Sequence, residues 1–422
     1  MTPPPDAPPE AASPEPSQPF LVTAAPHVRS AESIPRIMWT VNAALVPAVA
    51  WGTYVFGLRA LWCVALGVGS AVATEALLQL WRRRPVTVGD GSAVLTGLLV
   101  ALVFPVHLPW YCFVTGSVFG IAVAKQAFGG LGCNIWNPAL AGRAFVLAAW
   151  AALATVGAGW PVPFHYARET PAQAAGSEAG QEQDAAASEP AVDAVTAPTP
   201  LTRMEEGLRE HKDAVEEEVR AQAGEAPRKP TYPRSPAQAR QALRRIQEER
   251  GTPVHKLLLG LVGGCIGEVS AVALLLGGLV LIALGYVKWE VPLFYIATLA
   301  LLAWALPVPV AGAKMAYSEA AGQDVVRQTT CLVWFAGRPL FEIFAGGLFL
   351  GAFFMATDMV TSPVTRGGLI LFAVGCGVLT AVIRRYGGYP EGVCYAILLM
   401  NSAVPLIDRF TKHKVFGQRA SS

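Results

Sequence analysis

Apolar residues gather into ten runs along the chain. Five lie near residues 36–57, 59–81, 91–105, 108–127 and 139–158, and five near 257–285, 290–312, 339–357, 366–384 and 391–407. An α-helix needs about 20 apolar residues to cross the hydrocarbon core of a bilayer. The pattern therefore predicts an all-α integral membrane protein with about ten transmembrane helices, five on each side of a long polar interval. Two runs depart from a simple span: 91–105 is short, and 257–285 is long and interrupted by "GGCIGE". Short or glycine-broken spans in both halves of a membrane protein point to discontinuous helices around a central site.

The halves share a motif. "GDGSAVLTGLLVAL" begins at Gly89 and "GEVSAVALLLGGLVL" at Gly267; each reads Gly, acid, any residue, Ser-Ala-Val and an apolar stretch. More loosely, "NPALAGRAFVL" from Asn137 resembles "SPVTRGGLILF" from Ser362. Internal duplication is common in transporter folds, and the motif predicts two five-helix repeats. The boundaries drawn from these patterns are a Pro-rich tail at 1–30, a first membrane half at 31–159, a hydrophilic insertion at 160–253, a second membrane half at 254–408 and a basic tail at 409–422.

Composition agrees with the pattern. Of 422 residues, 53% are hydrophobic and 15% charged, and the mean hydropathy is +0.42. A soluble domain of this composition would aggregate. The charge is also uneven: residues 165–254 hold 16 Asp/Glu and 12 Lys/Arg of the chain's 30 and 32. The net charge of +2 gives no reason to expect nucleic acid as a partner. The seven cysteines are scattered and form no CxxC, a spacing that does not favour an iron–sulfur or zinc site.

Lys and Arg near helix ends set orientation in a membrane. "WRRRP" after the second run and "DRFTKHKVFGQR" after the last predict cytoplasmic faces. An even number of spans then places both termini in the cytoplasm and residues 160–253 outside. Arg384 and Arg385 fall on the outer side in this scheme and run against the rule. Within the insertion, 171–200 is low in complexity, while 201–223 carries a thin apolar stripe at helical spacing, the pattern of a solvated helix.

More specific motifs punctuate the membrane halves. "GGLGCNIWNPALAGRAFVLAAW", "PHVRSAESIPRIM", "PVTVGDGSAVLTGLL", "GCIGEVSAVALLLGG", "GAFFMATDMVTSPVTRGG" and "GGYPEGVCYAILLMNSAVPLID" all stand in this chain. Over about 26–160 and 254–417 the chain resembles the D subunit of the Rnf electron-transport complex, and next the B subunit of the sodium-pumping NADH:quinone reductase. The last two stretches are closest to the Rnf subunit. The resemblance implies a urea-transporter-like fold of ten spans in the bacterial cytoplasmic (inner) membrane. It implies a complex with A, B, C, E and G subunits that passes electrons between ferredoxin and NAD and moves Na⁺ or H⁺. The acidic insertion is longer than the resemblance leads one to expect. The duplicated fold by itself would also suit a solute channel of the urea-transporter type.

The resemblance further implies FMN joined through its phosphate to a threonine on the outer side, attached by a flavin transferase. The family motif runs Asp-x-x-Ser/Thr-Gly/Ala-Ala-Thr, commonly followed by Pro-Leu. Here "DAVTAPTPL" supplies Asp193, Thr196, Ala197 and Thr199, then Pro200 and Leu201. Thr199 is the expected acceptor. Pro198 stands where the family has Ala, which fixes φ and removes an N–H. Without the resemblance, the stretch reads as linker.

Other residues carry a functional and a structural reading together. Asn134 and Asn137 match the region where the related reductase subunit holds a second, non-covalent riboflavin, and amides pair well with a flavin's carbonyls and ring nitrogens. Asn137, followed by Pro138, also reads as a helix N-cap. Asp90, Glu268 and Asp358 lie at breaks in apolar runs, where a carboxylate serves an ion pathway or caps a helix. Arg143 reads as a phosphate or carboxylate partner, or as an interfacial anchor.

Overall fold

The computed structural model describes residues 32–150, 160–161, 196–197, 254–260, 264–268, 270–318, 323–335, 337–387 and 392–411. The helices and strands belong to the unit that begins at Ile34.

The first five runs become helices in order: α1 (Ile34–Phe56), α2 (Leu58–Trp81), α3 (Ser92–Leu102), α4 (Trp110–Phe119) and α5 (Pro138–Ala149). A 3₁₀ turn, Val88–Asp90, precedes α3, and α4 continues as a π-helical segment, Gly120–Gln126. A two-residue strand β1 (Trp160–Pro161) pairs antiparallel with β2 (Thr196–Ala197), setting Thr196 opposite Pro161. The second group opens with α6 (Val254–Leu259), a 3₁₀ turn (Ile266–Glu268), α7 (Ala271–Ala283) and α8 (Glu290–Ala305). It ends with α9 (Pro339–Phe344), α10 (Leu348–Leu350), a π-helical segment (Gly351–Met355), α11 (Arg366–Tyr386) and α12 (Val393–Phe410).

By length and composition, α2, α11 and α12 are sufficient to cross a membrane, whereas α3, α5, α7 and α8 are shorter apolar helices. Little of α2 is buried: Leu58, Trp62, Leu77, Leu80 and Trp81 are exposed. Such an apolar surface is at home in lipid rather than water. The helical, membrane-embedded character read from the sequence is thus present.

One departure is plain. The run at 290–312 is not one helix. Helix α8 ends at Ala305, Leu306 is extended (φ −65°, ψ 144°), and the chain enters β3 (Val308–Ser318), paired antiparallel with β4 (Gln323–Val333). Proline at 307 pushes the residue before it out of the α region and supplies no N–H to a helix. The all-α description therefore holds for the apolar helices, and the hairpin is an addition to it.

Both copies of the Gly-acid-x-Ser-Ala-Val motif adopt one local conformation, a 3₁₀ turn ending on the acid and then a short helix. The end of α3 meets the second turn directly. Phe104 O accepts from Ile266 N–H (3.4 Å), and Val103 O accepts from the Cys265 thiol (3.0 Å). Carbonyls left over at a helix end thus find donors from the other half of the chain. Close packing makes this possible. A Cβ on Gly267 would lie 2.9 Å from Leu102 Cβ, and one on Gly97 would lie 2.4 Å from Gly67 O. Helix α1 holds the first turn, with Asn42 Nδ2 donating to Gly91 O (3.0 Å) and Trp39 Nε1 to Gly89 O (3.1 Å).

Arg384, which runs against the charge rule, is a buried clamp. It donates to Glu342 O (2.6 Å), Glu342 Oε2 (3.2 Å) and Ala345 O (3.0 Å). It therefore satisfies carbonyls at the end of α9.

Candidate functional site

The two π-helical segments and the loops that follow them converge on one cleft. Its walls are mainly apolar, with Leu95, Leu99, Leu281, Phe353 and Phe354 among them, and its polar groups include Ser92, Lys125, Asn134, Asn137, Thr357 and Asp358. The enclosed space is about 90 Å³, opening to solvent at its mouth.

Asn137 serves both of its readings. Its Oδ1 accepts from Ala139 N–H (3.0 Å) and Leu140 N–H (3.3 Å) and so caps α5, with Pro138 at the first helical position. Its Nδ2 donates to Met355 O (3.2 Å), at the end of the second π-helical segment. That carbonyl belongs to a stretch of widened helix, a common setting for functional sites. The Asn401 amide, oriented by its partners, accepts from Asn137 N–H (3.2 Å) and donates to Thr361 O (3.2 Å).

Asn134 is buried. Its Nδ2 donates to Trp136 O (3.3 Å), but its Oδ1 has no partner. A buried amide oxygen without a donor forfeits a hydrogen bond that water would have supplied, so its place on the cleft wall is a place for an N–H. Asp358 lies beside it; its carboxylate accepts from Val360 N–H (3.3 Å) and the Thr361 hydroxyl (3.2 Å).

The remaining expected residues lie elsewhere. Asp90 Oδ1 accepts from Ser92 N–H (2.8 Å) and Ser92 Oγ (2.7 Å), a capping arrangement at the head of α3. Glu268 occupies the matching turn but does not cap α7, because Ser270 takes that part by accepting from Ala273 N–H (3.2 Å). Instead its Oε2 turns back to Cys265 N–H (3.5 Å), and its Oε1 has no hydrogen-bond partner. Arg143 is buried within electrostatic reach of Glu268, Cys265 and Cys394, so it is not an interfacial anchor. Thr199 lies outside the described residues, two positions beyond β2.

One group has no counterpart among the residues expected from the sequence. Glu75 and Lys125 form a buried ion pair of 2.7 Å. Lys125 Nζ also donates to Ser92 Oγ (2.7 Å), and Gln126 and Gln79 donate to Glu75 Oε1 (3.0 and 3.3 Å). The signal was available, since each charge interrupts an apolar run ("AVATEALL", "GIAVAKQAF"), where a charge is costly and seldom incidental.

A profile of the NQR2, RnfD, RnfE family matches residues 21–417. The chain belongs to that family. Among its members, the D subunit of the Na(+)-translocating ferredoxin:NAD(+) oxidoreductase complex of Acetobacterium woodii is 40% identical over 400 residues, covering 94% of this chain and 95% of its own. The D subunit of the proton-translocating ferredoxin:NAD(+) oxidoreductase complex of Clostridium ljungdahlii is 38% identical over 400 residues, covering 95% and 97%. The D subunit of an ion-translocating oxidoreductase complex from Stutzerimonas stutzeri is 36% identical over 390 residues, covering 92% and 93%.

Proposed function

We propose that this chain is the membrane-embedded D subunit of an ion-translocating electron-transport complex of the ferredoxin:NAD oxidoreductase type. In this reading it bears FMN ester-linked to Thr199 and holds a second, non-covalent flavin in the cleft around Asn134. Family membership over nearly the whole chain supports the first part, and the stretch from Asp193 to Leu201 supports the second. The observation that carries the third is the unpartnered Asn134 Oδ1 in an apolar-walled cleft.

The chemistry of the residues present suits such a group. A flavin offers an N–H flanked by carbonyls on one edge of a flat apolar ring. Asn134 Oδ1 is an acceptor for that N–H, Lys125 is a donor for an oxygen, and Leu99, Phe353 and Phe354 supply apolar wall. When bound, flavin supplies the electron transfer, while the protein sets position and potential. The chain's own part is to hold the ring edge, limit water and keep charges at fixed places.

The same reading gives the chain ten spans in two urea-transporter-like repeats within the cytoplasmic (inner) membrane. Both termini are cytoplasmic and residues 160–253 extracytoplasmic. Arg384 and its carbonyl partners support that orientation by accounting for one of the two exceptions to the charge rule. The A, B, C, E and G subunits are its partners, and a flavin transferase modifies it. Asp90, Glu268 and Asp358 lie along the route of the coupled Na⁺ or H⁺.

Denaturation of the purified chain, co-expressed with a flavin transferase, tests both flavins at once. One flavin should stay on the polypeptide as a mass increase of about 438 Da, the phosphodiester having formed with loss of water. A second should be released into the supernatant. A wild-type chain without adduct overturns the covalent reading, and no released flavin overturns the cleft reading.

A further inference from the structure

The Glu75–Lys125 pair has a place in the fold that stability does not explain. Each side chain is only 2% exposed. Exchanging a buried ion pair for packed apolar residues is often neutral or stabilising. Geometry assigns its two ends to different spaces. Lys125 lines the cleft that holds Asn134, and Glu75 does not. Glu75 instead lines a second cavity of about 420 Å³, with Gln79, Arg84, Thr87, Asp90 and Gln126. The pair is thus a fixed dipole with its positive end at the cleft. Gln79 and Gln126 hold the carboxylate end. Lys125 Nζ spends two of its three N–H groups on Glu75 and Ser92, leaving the third for the cleft that it lines.

We propose that Lys125 sets the reduction potential of the flavin bound in this cleft, with Glu75 as the counter-charge that holds the potential below its limit. The inference rests on the cleft reading above. An oxidised flavin ring is neutral, and two electrons with one proton give it a single negative charge. A nearby cation favours that charged form, the more so where water is scarce. Among the described residues lining the cleft, Lys125 is the one cation and Asp358 the one carboxylate. Asp358 accepts from Val360 and Thr361, lies within electrostatic reach of Lys125, and is the same in every variant compared below. Glu75 is farther from the cleft than Lys125 and opposes it.

The experiment uses the full chain carrying Thr199→Val, so that only cleft flavin is visible. It is titrated spectroscopically with dithionite as electron donor and water as proton source. Glu75→Gln should raise the midpoint potential. Lys125→Met should lower it by at least about 30 mV, a tenfold change in the reduced-to-oxidised ratio for a two-electron couple. The double variant Glu75→Gln/Lys125→Met buries no unpaired charge and covers the case in which Lys125→Met alone fails to fold. It too should lie below the parent. Shifts of the same sign in Glu75→Gln and the lysine variants, or no shift, overturn the inference and leave the cleft reading standing. A parent chain that retains no flavin overturns the cleft reading itself and the inference with it.

Discussion

Thr199, the proposed flavin acceptor, and Asn137 differ in what each asks of its surroundings. A phosphodiester needs one accessible hydroxyl and no pocket of its own, so its acceptor is recognisable from a short motif in a loop. Thr199→Val keeps the β-branched shape and removes the hydroxyl. It should leave the chain in the membrane and abolish the adduct, as read by intact mass. Thr196→Val should keep at least part of it, and an adduct surviving on Thr199→Val would show the motif to be misaligned. Asn137, in contrast, acts through its surroundings. Asn137→Ala removes a helix cap, worth about 1 kcal/mol, and a bond to Met355 O. Thermal unfolding in detergent should register a loss of at least that size, and an unchanged midpoint would mean that the cap contributes nothing.

At the scale of elements, the short helices are held by backbone contact. A Cβ on Gly97 would sit 2.4 Å from Gly67 O and 2.6 Å from Val68 Cα, whereas one on Gly69 would meet nothing within 4 Å. Backbone cannot swing aside as a side chain can, so Gly97→Ala should destabilise the α2–α3 contact by about 1–3 kcal/mol. Gly69→Ala should be neutral or slightly stabilising through helix propensity. Equal thermal midpoints for the two variants would count against this packing. The matched turns make a second element-scale prediction. Asp90→Asn retains an acceptor for Ser92 N–H and should spare assembly, as should Glu268→Asn, since Ser270 caps α7. If the two acids lie on the ion route, both variants should move fewer ions per electron in proteoliposomes. Wild-type pumping in both would remove them from it.

For the whole molecule, the testable quantity is sidedness. The polar interval follows five apolar runs, and the proposed cytoplasmic face of "WRRRP" would put it outside. Ser188→Cys should react with an impermeant maleimide in intact cells, in a Cys133→Ser background because Cys133 is exposed. Labelling only after lysis would reverse the topology and move Thr199 to the wrong side for the proposed flavin. The hairpin β3–β4 is also a whole-molecule feature, since neither strand has an apolar run of its own length to announce it. Each depends on a partner strand beyond the turn.

The sequence alone determined what depends on local order. Apolar runs specify membrane helices because lipid leaves backbone groups no other partners, and "GGCIGE" breaks its helix because glycine weakens it. The motifs around Asn137 and Gly89 carry the family resemblance because they are contiguous. Tertiary structure decided what depends on distance. Glu75 and Lys125 are 50 residues apart and Asn137 and Met355 are 218 apart, so no spacing rule reveals either pair. Nor could the motif say that Asp90 caps its helix while Glu268 does not. Both acids end a 3₁₀ turn, but Ser270 reaches the free N–H groups of α7 first, and the Glu268 carboxylate is left beside Gly347 from the next break in the chain. That difference is set by which neighbours packing brings to each acid, because a buried carboxylate takes whichever donors are within reach.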